Sequence, residues 1–236
     1  MTVDGRPLPT AVIPAFNAGP WIRDVVTRAA RVVPEVLVVD DGSTDDTADV
    51  ARSAGAEVLS HTVNRGKGAA LRTAFERVFA LDPSPTRAVV TLDADGQHLP
   101  EEIPKLIAAW RDGADLVLGT RDHLFASMSA VRRASNSLST RAISWAAGRR
   151  LGDIQTGFRI YTPRLIESTG FPENRFQAES AVVVRAARRG FRIVSVPVDL
   201  GFVDGRHTSH YRPLVDSLRS AAAVTKARFE SAGTAG

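Results

Sequence analysis

Two carboxylates one residue apart, Asp93 and Asp95, follow five strand-forming residues, Ala88 to Leu92, and lead into Gln97 and His98. A buried strand that ends in acids delivers them to the carboxyl edge of a sheet, where open α/β folds bind their ligands. Asp and Gln supply hard oxygen ligands, suited to Mg²⁺ or Mn²⁺ bridging phosphates. The pattern points to an enzyme that handles a metal-bound diphosphate. The bland alternative is a turn that caps a helix. Two other motifs fail on their spacing. An EF-hand loop counted from Asp93 needs Gly and Glu where His98 and Pro104 stand. A P-loop ending at Gly66-Lys67 needs Ser or Thr at Gly68 and Gly at His61.

Other chemistry-bearing residues gather at other element ends. Asp40 and Asp41 end one apolar run, and Arg121 follows another. Convergence of acids and a base on one sheet edge is hard to explain by packing. From His123 to Gly152 there are thirty residues with no acid and five arginines, interleaved with Leu124, Phe125, Met128, Ile143 and Trp145. Such a mixture suits an anionic lipid surface or a lipid phosphate. It equally suits a helix that packs its apolar stripe on the core and solvates its arginines.

The elements that must position these residues alternate between strand and helix patterns. Strands are expected at 10–14, 35–39, 57–60, 88–92 and 115–119, with helices at 21–33, 66–81 and from Pro100 to about 112. Ser43 or Thr44 is expected to cap a helix whose first turn holds Asp45 and Asp46 as dipole partners. The second half is less regular, with a short strand near 159–161, a helix at 177–189, a strand at 191–198 and a last helix at 213–229. This βαβαβ order predicts an α/β fold: a doubly wound, mostly parallel sheet with helices on both faces.

The 236 residues fit one larger domain, and a 44% hydrophobic, 24% charged composition can fill its core. There is no apolar run long enough to span a bilayer and no signal-peptide core at the N-terminus. With no cysteine, disulfides and thiolate metal sites are excluded, and a cytoplasmic setting is expected. A net charge of +4 is too small to argue for nucleic acid.

Eight segments occur in one order: Val12-Ile-Pro-Ala-Phe-Asn17, Val38-Val-Asp-Asp-Gly-Ser-Thr-Asp-Asp-Thr47, Asn64-Arg-Gly-Lys-Gly68, Leu92-Asp-Ala-Asp-Gly-Gln-His98, Gly119-Thr-Arg121, Asp153-Ile-Gln-Thr-Gly-Phe-Arg159, Gln177-Ala-Glu179 and Val196-Pro-Val198. Together, over roughly residues 10 to 215, they resemble the family 2 inverting glycosyltransferases of GT-A fold, nearest to the dolichol- or polyprenyl-phosphate sugar synthases. The resemblance implies a single domain over 1–236, with a nucleotide-sugar half at about 8–119, an acceptor half at 120–230 and a disordered tail at 231–236.

The resemblance also implies roles. Pro14, Phe16, Asn17, Asp40 and Asp41 would hold the nucleoside. Gly66 and Gly68 would let the backbone approach the diphosphate, with Lys67 as a nearby cation. Asp93, Ala94 and Asp95 would meet the donor, with Asp93, Asp95 and Gln97 holding Mg²⁺ or Mn²⁺. Asp95 and Asp93 would thus carry the catalysis, as the metal neutralises the leaving diphosphate. Arg121, Arg132, Arg133 and Arg206 would position an acceptor phosphate, and Asp153 and Glu179 would orient the sugar or the arginines. Phe16 also reads as core filling, and Asp153 and Glu179 as ordinary ion-pair partners. The implied partners are a nucleotide sugar and a polyprenyl phosphate met at the membrane surface, through segment 123–152 and the last helix. The chain departs from the pattern at Ala18, where Glu is common, and at His210, where Lys is frequent. Two other readings stay open: a soluble transferase using a hydroxyl acceptor, with Asp153 or Glu179 as base, and a non-catalytic nucleotide-sugar-binding protein.

Overall fold

The computed structural model describes residues 2–3, 6–81, 84, 86–120, 140, 143–148, 156–201 and 213–230. A short antiparallel ribbon, β1 (Thr2–Val3) with β2 (Arg6–Pro7), precedes the main sheet. That sheet comprises β3 (Thr10–Ala15), β4 (Val36–Asp40), β5 (Glu57–Ser60), β6 (Val89–Thr91), β7 (Leu116–Thr120), β8 (Arg159–Tyr161) and β9 (Ile193–Pro197). Its order is β5-β4-β3-β6-β8-β7-β9. All neighbours run parallel except β8, which is antiparallel to both β6 and β7.

The strands alternate between two cores, as a sheet covered on both faces requires. Val12, Leu37 and Val39 pack on one face with Leu71 and Phe75 of α3 (Lys67–Leu81) and Val182 of α6 (Gln177–Arg188). Ile13, Val38 and Val90 pack on the other with Ile22 and Val26 of α1 (Gly19–Ala30), Ala51 of α2 (Thr47–Ser53) and Leu106 of α4 (Ile103–Arg111). A further helix, α5 (Pro163–Thr169), and the long α7 (Pro213–Phe229) belong to the α3–α6 side. The doubly wound reading holds, and the architecture is of GT-A type.

Several boundaries differ from the sequence reading. Pro100 opens a 3₁₀ turn, Pro100–Glu102, before α4 begins at Ile103. Neither Ser43 nor Thr44 caps α2, which starts at Thr47 with Asp46 at the N-cap. Ser43 and Thr44 instead tie the ends of β3 and β4 together. Asn17 N–H donates to Ser43 Oγ at 2.9 Å, and Asn17 Oδ1 accepts from Thr44 N–H at 2.9 Å. Asn17 does this at φ +52°, a left-handed conformation that Asn tolerates better than most residues. The expected tail at 231–236 lies outside the described residues.

The chain winds outward from β3 through β4 to β5, then returns to the other side of β3 as β6. The crevice at the carboxyl ends of β3 and β6 is therefore the switch point where such sheets bind ligands.

Candidate active site

Five strand ends meet at this edge. β3 delivers Phe16 and Asn17, β4 delivers Asp40 and Asp41, and β6 delivers Asp93. β7 ends at Thr120, buried and directly before Arg121. Because β8 runs the other way, its first residue, Arg159, pairs with Thr91 and Leu118, and so residues 156–158 arrive at the same edge.

The centre is a chain of charges. Lys67 Nζ lies 2.6 Å from Asp93 Oδ1 and 3.0 Å from Glu179 Oε2. Burial pushes the Lys67 ammonium down, but attraction to Asp93 and Glu179 outweighs it and holds the group well above its ordinary range. Glu179 Oε1 is buried, with no hydrogen-bond partner among the described residues. Lys67 is thus clamped between two acids, whereas the sequence reading placed it only near the diphosphate. Gly157 walls the pair: a Cβ there would stand 2.5 Å from Lys67 Nζ and 2.8 Å from Asp93 Oδ1. Thr91 Oγ1 donates to the Gly157 carbonyl at 2.7 Å, fixing that wall to β6.

The turn after β6 is shaped by its own acids. Gln97 N–H donates to Asp95 Oδ1 at 3.0 Å, which closes the turn through Gly96. Asp93 N–H donates to His98 Nδ1 at 3.0 Å, so that nitrogen acts as an acceptor and carries no proton in this arrangement. The His98 ring is buried and stacks on Phe158 at 5.3 Å. Gly201 N–H donates to Gln97 O at 3.0 Å, bringing the chain after β9 against the same turn.

The donor-side residues divide. Pro14 and Phe16 are half-buried at the end of β3, while Ala94 is buried and belongs to the core on the α1–α4 side. Asp40 Oδ1 accepts from Ser43 N–H at 3.0 Å. Asp41 is buried, and its carboxylate accepts from Arg65 N–H at 2.9 Å and Gly66 N–H at 2.6 Å while meeting His61 Nδ1 at 2.6 Å. It holds the loop that launches α3. The surroundings of Gly66 and Gly68 give a further reason for glycine at both positions. A Cβ on Gly66 would stand 2.5 Å from the Asn174 carbonyl, and one on Gly68 would collide with the Glu173 carbonyl. Both permit close approach of the chain's own 173–174 segment. Ala69 N–H also donates to Asn174 O at 3.0 Å, so part of the α3 N-terminus is already occupied.

Asp45 serves two helix starts: its Oδ1 accepts from Thr47 N–H of α2 at 3.1 Å. Its Oδ2 accepts from Gly19 N–H at 3.0 Å at the start of α1, and Ala18 N–H donates to Thr47 Oγ1 at 2.7 Å. Burial alone would raise the Asp45 carboxyl; the hydrogen bonds from Thr47 and Gly19 hold it below the usual range.

Arg159, fully buried, serves the backbone of this region: Nε donates to Thr156 O at 2.7 Å and Nη1 to Glu179 O at 2.5 Å. Tyr161, also buried, has its hydroxyl pushed up to about 12 by burial. Arg121, Arg132, Arg133, Asp153 and Arg206 lie outside the described residues. Sequence reasoning gave no role to Gly157, His98 or Thr91. All three stand in or beside the quoted motifs, and only their partners reveal what they do.

The donor set suits a hard cation. Asp93 and Asp95 offer carboxylate oxygens on one turn, and the Asp93 side chain is 34% exposed at the sheet edge. Among the described residues, no group of three or more His, Cys, Asp or Glu comes together to hold a metal ion. Mg²⁺ commonly binds through one or two carboxylates and takes its remaining positions from water and substrate phosphates, which matches this pair.

A sequence model of glycosyl transferase family 2 matches residues 10–172. The chain is similar to an undecaprenyl-phosphate mannosyltransferase of Micrococcus luteus, 34% identical over 209 residues that span 79% of this chain and 81% of that protein. It is likewise 34% identical over 191 residues to a dolichyl-phosphate hexose transferase of Haloferax volcanii, across 79% of this chain and 80% of that one. In fold it is similar to glucosyl-3-phosphoglycerate synthase from Mycobacterium tuberculosis, solved with Mn²⁺, uridine diphosphate and phosphoglyceric acid. The TM-score is 0.73 at 23% identity, covering 95% of this chain and 79% of that one. With the family model covering most of its length and relatives of this kind, the chain belongs to glycosyl transferase family 2 and is a glycosyltransferase.

Proposed function

We propose that the protein transfers a hexosyl group from a nucleoside-diphosphate sugar to a polyprenyl phosphate, with inversion at the anomeric carbon. The supporting observation is the placement of Asp93 and Asp95 at the switch point, with Asp93 fixed by a buried Lys67–Glu179 pair. The names of the two lipid-phosphate transferases at 34% identity supply the acceptor class.

In this reading the bond from the anomeric carbon to the donor diphosphate breaks, and a bond to an acceptor phosphate oxygen forms. The nucleoside diphosphate leaves with the bonding electron pair. Asp93, Asp95 and Gln97 would hold Mg²⁺ or Mn²⁺, which supplies Lewis-acid stabilisation to the leaving diphosphate when bound. Pro14, Phe16, Asn17 and Asp40 border the nucleoside. Asp41 and Gly68 act through the loop they build. Lys67 and Ala94 lie beside the acids that meet the donor. The acceptor oxygen is already anionic at neutral pH, so positioning takes the place of a strong base. Arg121, Arg132, Arg133 and Arg206 provide it, with Asp153 and Glu179 orienting sugar and arginines.

No described helix is long and apolar enough to cross a membrane. The enzyme would meet its lipid peripherally, on the cytoplasmic face, through segment 123–152 and α7. There Arg228 lies 4.2 Å from the ring centre of Trp145, which is 60% exposed. Apolar rings beside cations suit an anionic interface.

The test is transfer of labelled sugar into an organic-extractable product, from a panel of nucleotide sugars with Mg²⁺ or Mn²⁺, with and without polyprenyl phosphate. Label in the organic phase only with the lipid is expected. Donor consumed only with hydroxyl acceptors would move the reading to a soluble transferase, with Asp153 or Glu179 as base.

A further inference from the structure

Lys67 stands between two acids that offer it unequal hydrogen bonding. Asp93 takes it at 2.6 Å and Glu179 at 3.0 Å. Side-chain exposure is 13% for Lys67 and 9% for Glu179, so neither charge is well served by water. Among the described residues, Glu179 Oε1 nevertheless has no hydrogen-bond partner. A buried carboxylate oxygen without a partner is costly, and it is unused acceptor capacity within reach of the ammonium. On the other side, Gly157 crowds the pair so closely that a single methyl would reach both Nζ and Asp93 Oδ1. One Asp93 oxygen is therefore held by a protein cation on the acid that the proposed reaction assigns to the metal.

We infer that Lys67 competes with the divalent cation for the Asp93 carboxylate, and that Glu179 is the second seat to which Lys67 withdraws. Lys67 neutralises the acid pair while the site is empty and weakens the affinity for metal alone. Glu179 is a positioning residue: it keeps the displaced ammonium in the site, where it faces the donor diphosphate. This inference rests on the metal assignment above.

The test is Mn²⁺ binding by the full chain without nucleotide, with free ion followed by electron paramagnetic resonance. Lys67→Met removes the competitor but leaves one buried and one half-buried acid unbalanced. The double variant Lys67→Met/Glu179→Gln removes one positive and one negative charge, so the net charge of the site stays as in the wild type. A purely long-range field then predicts unchanged affinity. Loss of a direct competitor predicts Mn²⁺ binding roughly tenfold tighter than wild type. Binding equal to or weaker than wild type in a double variant with native circular dichroism overturns the competition alone. Absence of Mn²⁺ binding in both proteins, with and without uridine or guanosine diphosphate, overturns the metal assignment and the competition with it.

Discussion

Asp41 Oδ1 meets His61 Nδ1 at 2.6 Å inside the protein, and His61 Nε2 in turn meets Thr73 Oγ1 of α3 at 3.0 Å. An acid at a sheet edge thereby fastens the loop before α3 and the helix itself. Asp41→Asn keeps the shape but weakens charge-assisted bonds to two backbone amides and an imidazole. A loss of about 2 kcal/mol in unfolding free energy is expected. Denaturant melts check it, and stability equal to wild type would refute the fastening role.

Asp95→Ala is expected to lower transfer at least about a hundredfold, the scale of losing charge stabilisation at a leaving group. The side chain is half-buried and accepts from Gln97 N–H within its own turn. Native circular dichroism of the variant separates lost transfer from lost fold. Chelation with EDTA should stop turnover of the wild type, and full activity in either experiment argues against the metal role.

Gly157 has no positive φ to defend, so alanine is not strained there by backbone. Its cost is local: the new methyl must displace Lys67 Nζ and the Asp93 carboxylate. Gly157→Ala should reduce kcat by roughly tenfold or more, as small misplacements at a reacting centre do, with a nearly unchanged melt. Unaltered kcat would mean that the Lys67–Asp93 geometry is not used in turnover.

Stability should respond to pH asymmetrically. The Lys67 ammonium is raised in the folded state, so its contribution is complete below its unfolded value near 10.5 and is lost only above that. The Arg185 guanidinium holds the Glu230 carboxyl below its ordinary 4.5, so that contribution is present above pH 4.5 and fades as the pH falls further. Glu230→Gln should lower the melting temperature at pH 7 and converge with wild type as the pH falls well below 4.5. A constant difference across that window would rule out the ion pair as the cause.

Arg121→Ala and Arg206→Ala should raise KM for polyprenyl phosphate far more than for the nucleotide sugar. Initial-rate kinetics with each substrate varied separately decides it. An equal loss for both substrates would remove these arginines from the acceptor side.

Much of the frame was readable because period and punctuation agree. The residues of β8 and the bounds of α7 came directly from the chain. Helix α5 did not, although Thr162 caps it and Pro163 begins it, because its seven residues are too few to show a periodic stripe. The reversed direction of β8 was hidden too, since three residues carry no record of which neighbours they will pair with. At the site, the strand ends placed the acids at the expected edge. What each side chain faces depends on residues distant in sequence: His61 for Asp41, Thr44 for Asn17, Glu179 for Lys67. Local pattern does not encode such pairings, so the part that Asp41 and Gly68 play in building the loop before α3 shows only in the structure.

The reversal of β8 also bears on how this enzyme can change. β7 leaves the sheet at Thr120, and β8 re-enters beside it at Arg159, both at the edge where Asp93 stands. The two ends of the connection thus lie at one place, while within it Ile143 and Ala146 belong to the core and Gly157 walls the Lys67–Asp93 pair. In the proposed reading, the arginine-rich stretch is an exchangeable cassette as long as those residues are kept. Grafting it from a relative with another acceptor should transplant acceptor preference while the donor half keeps its own.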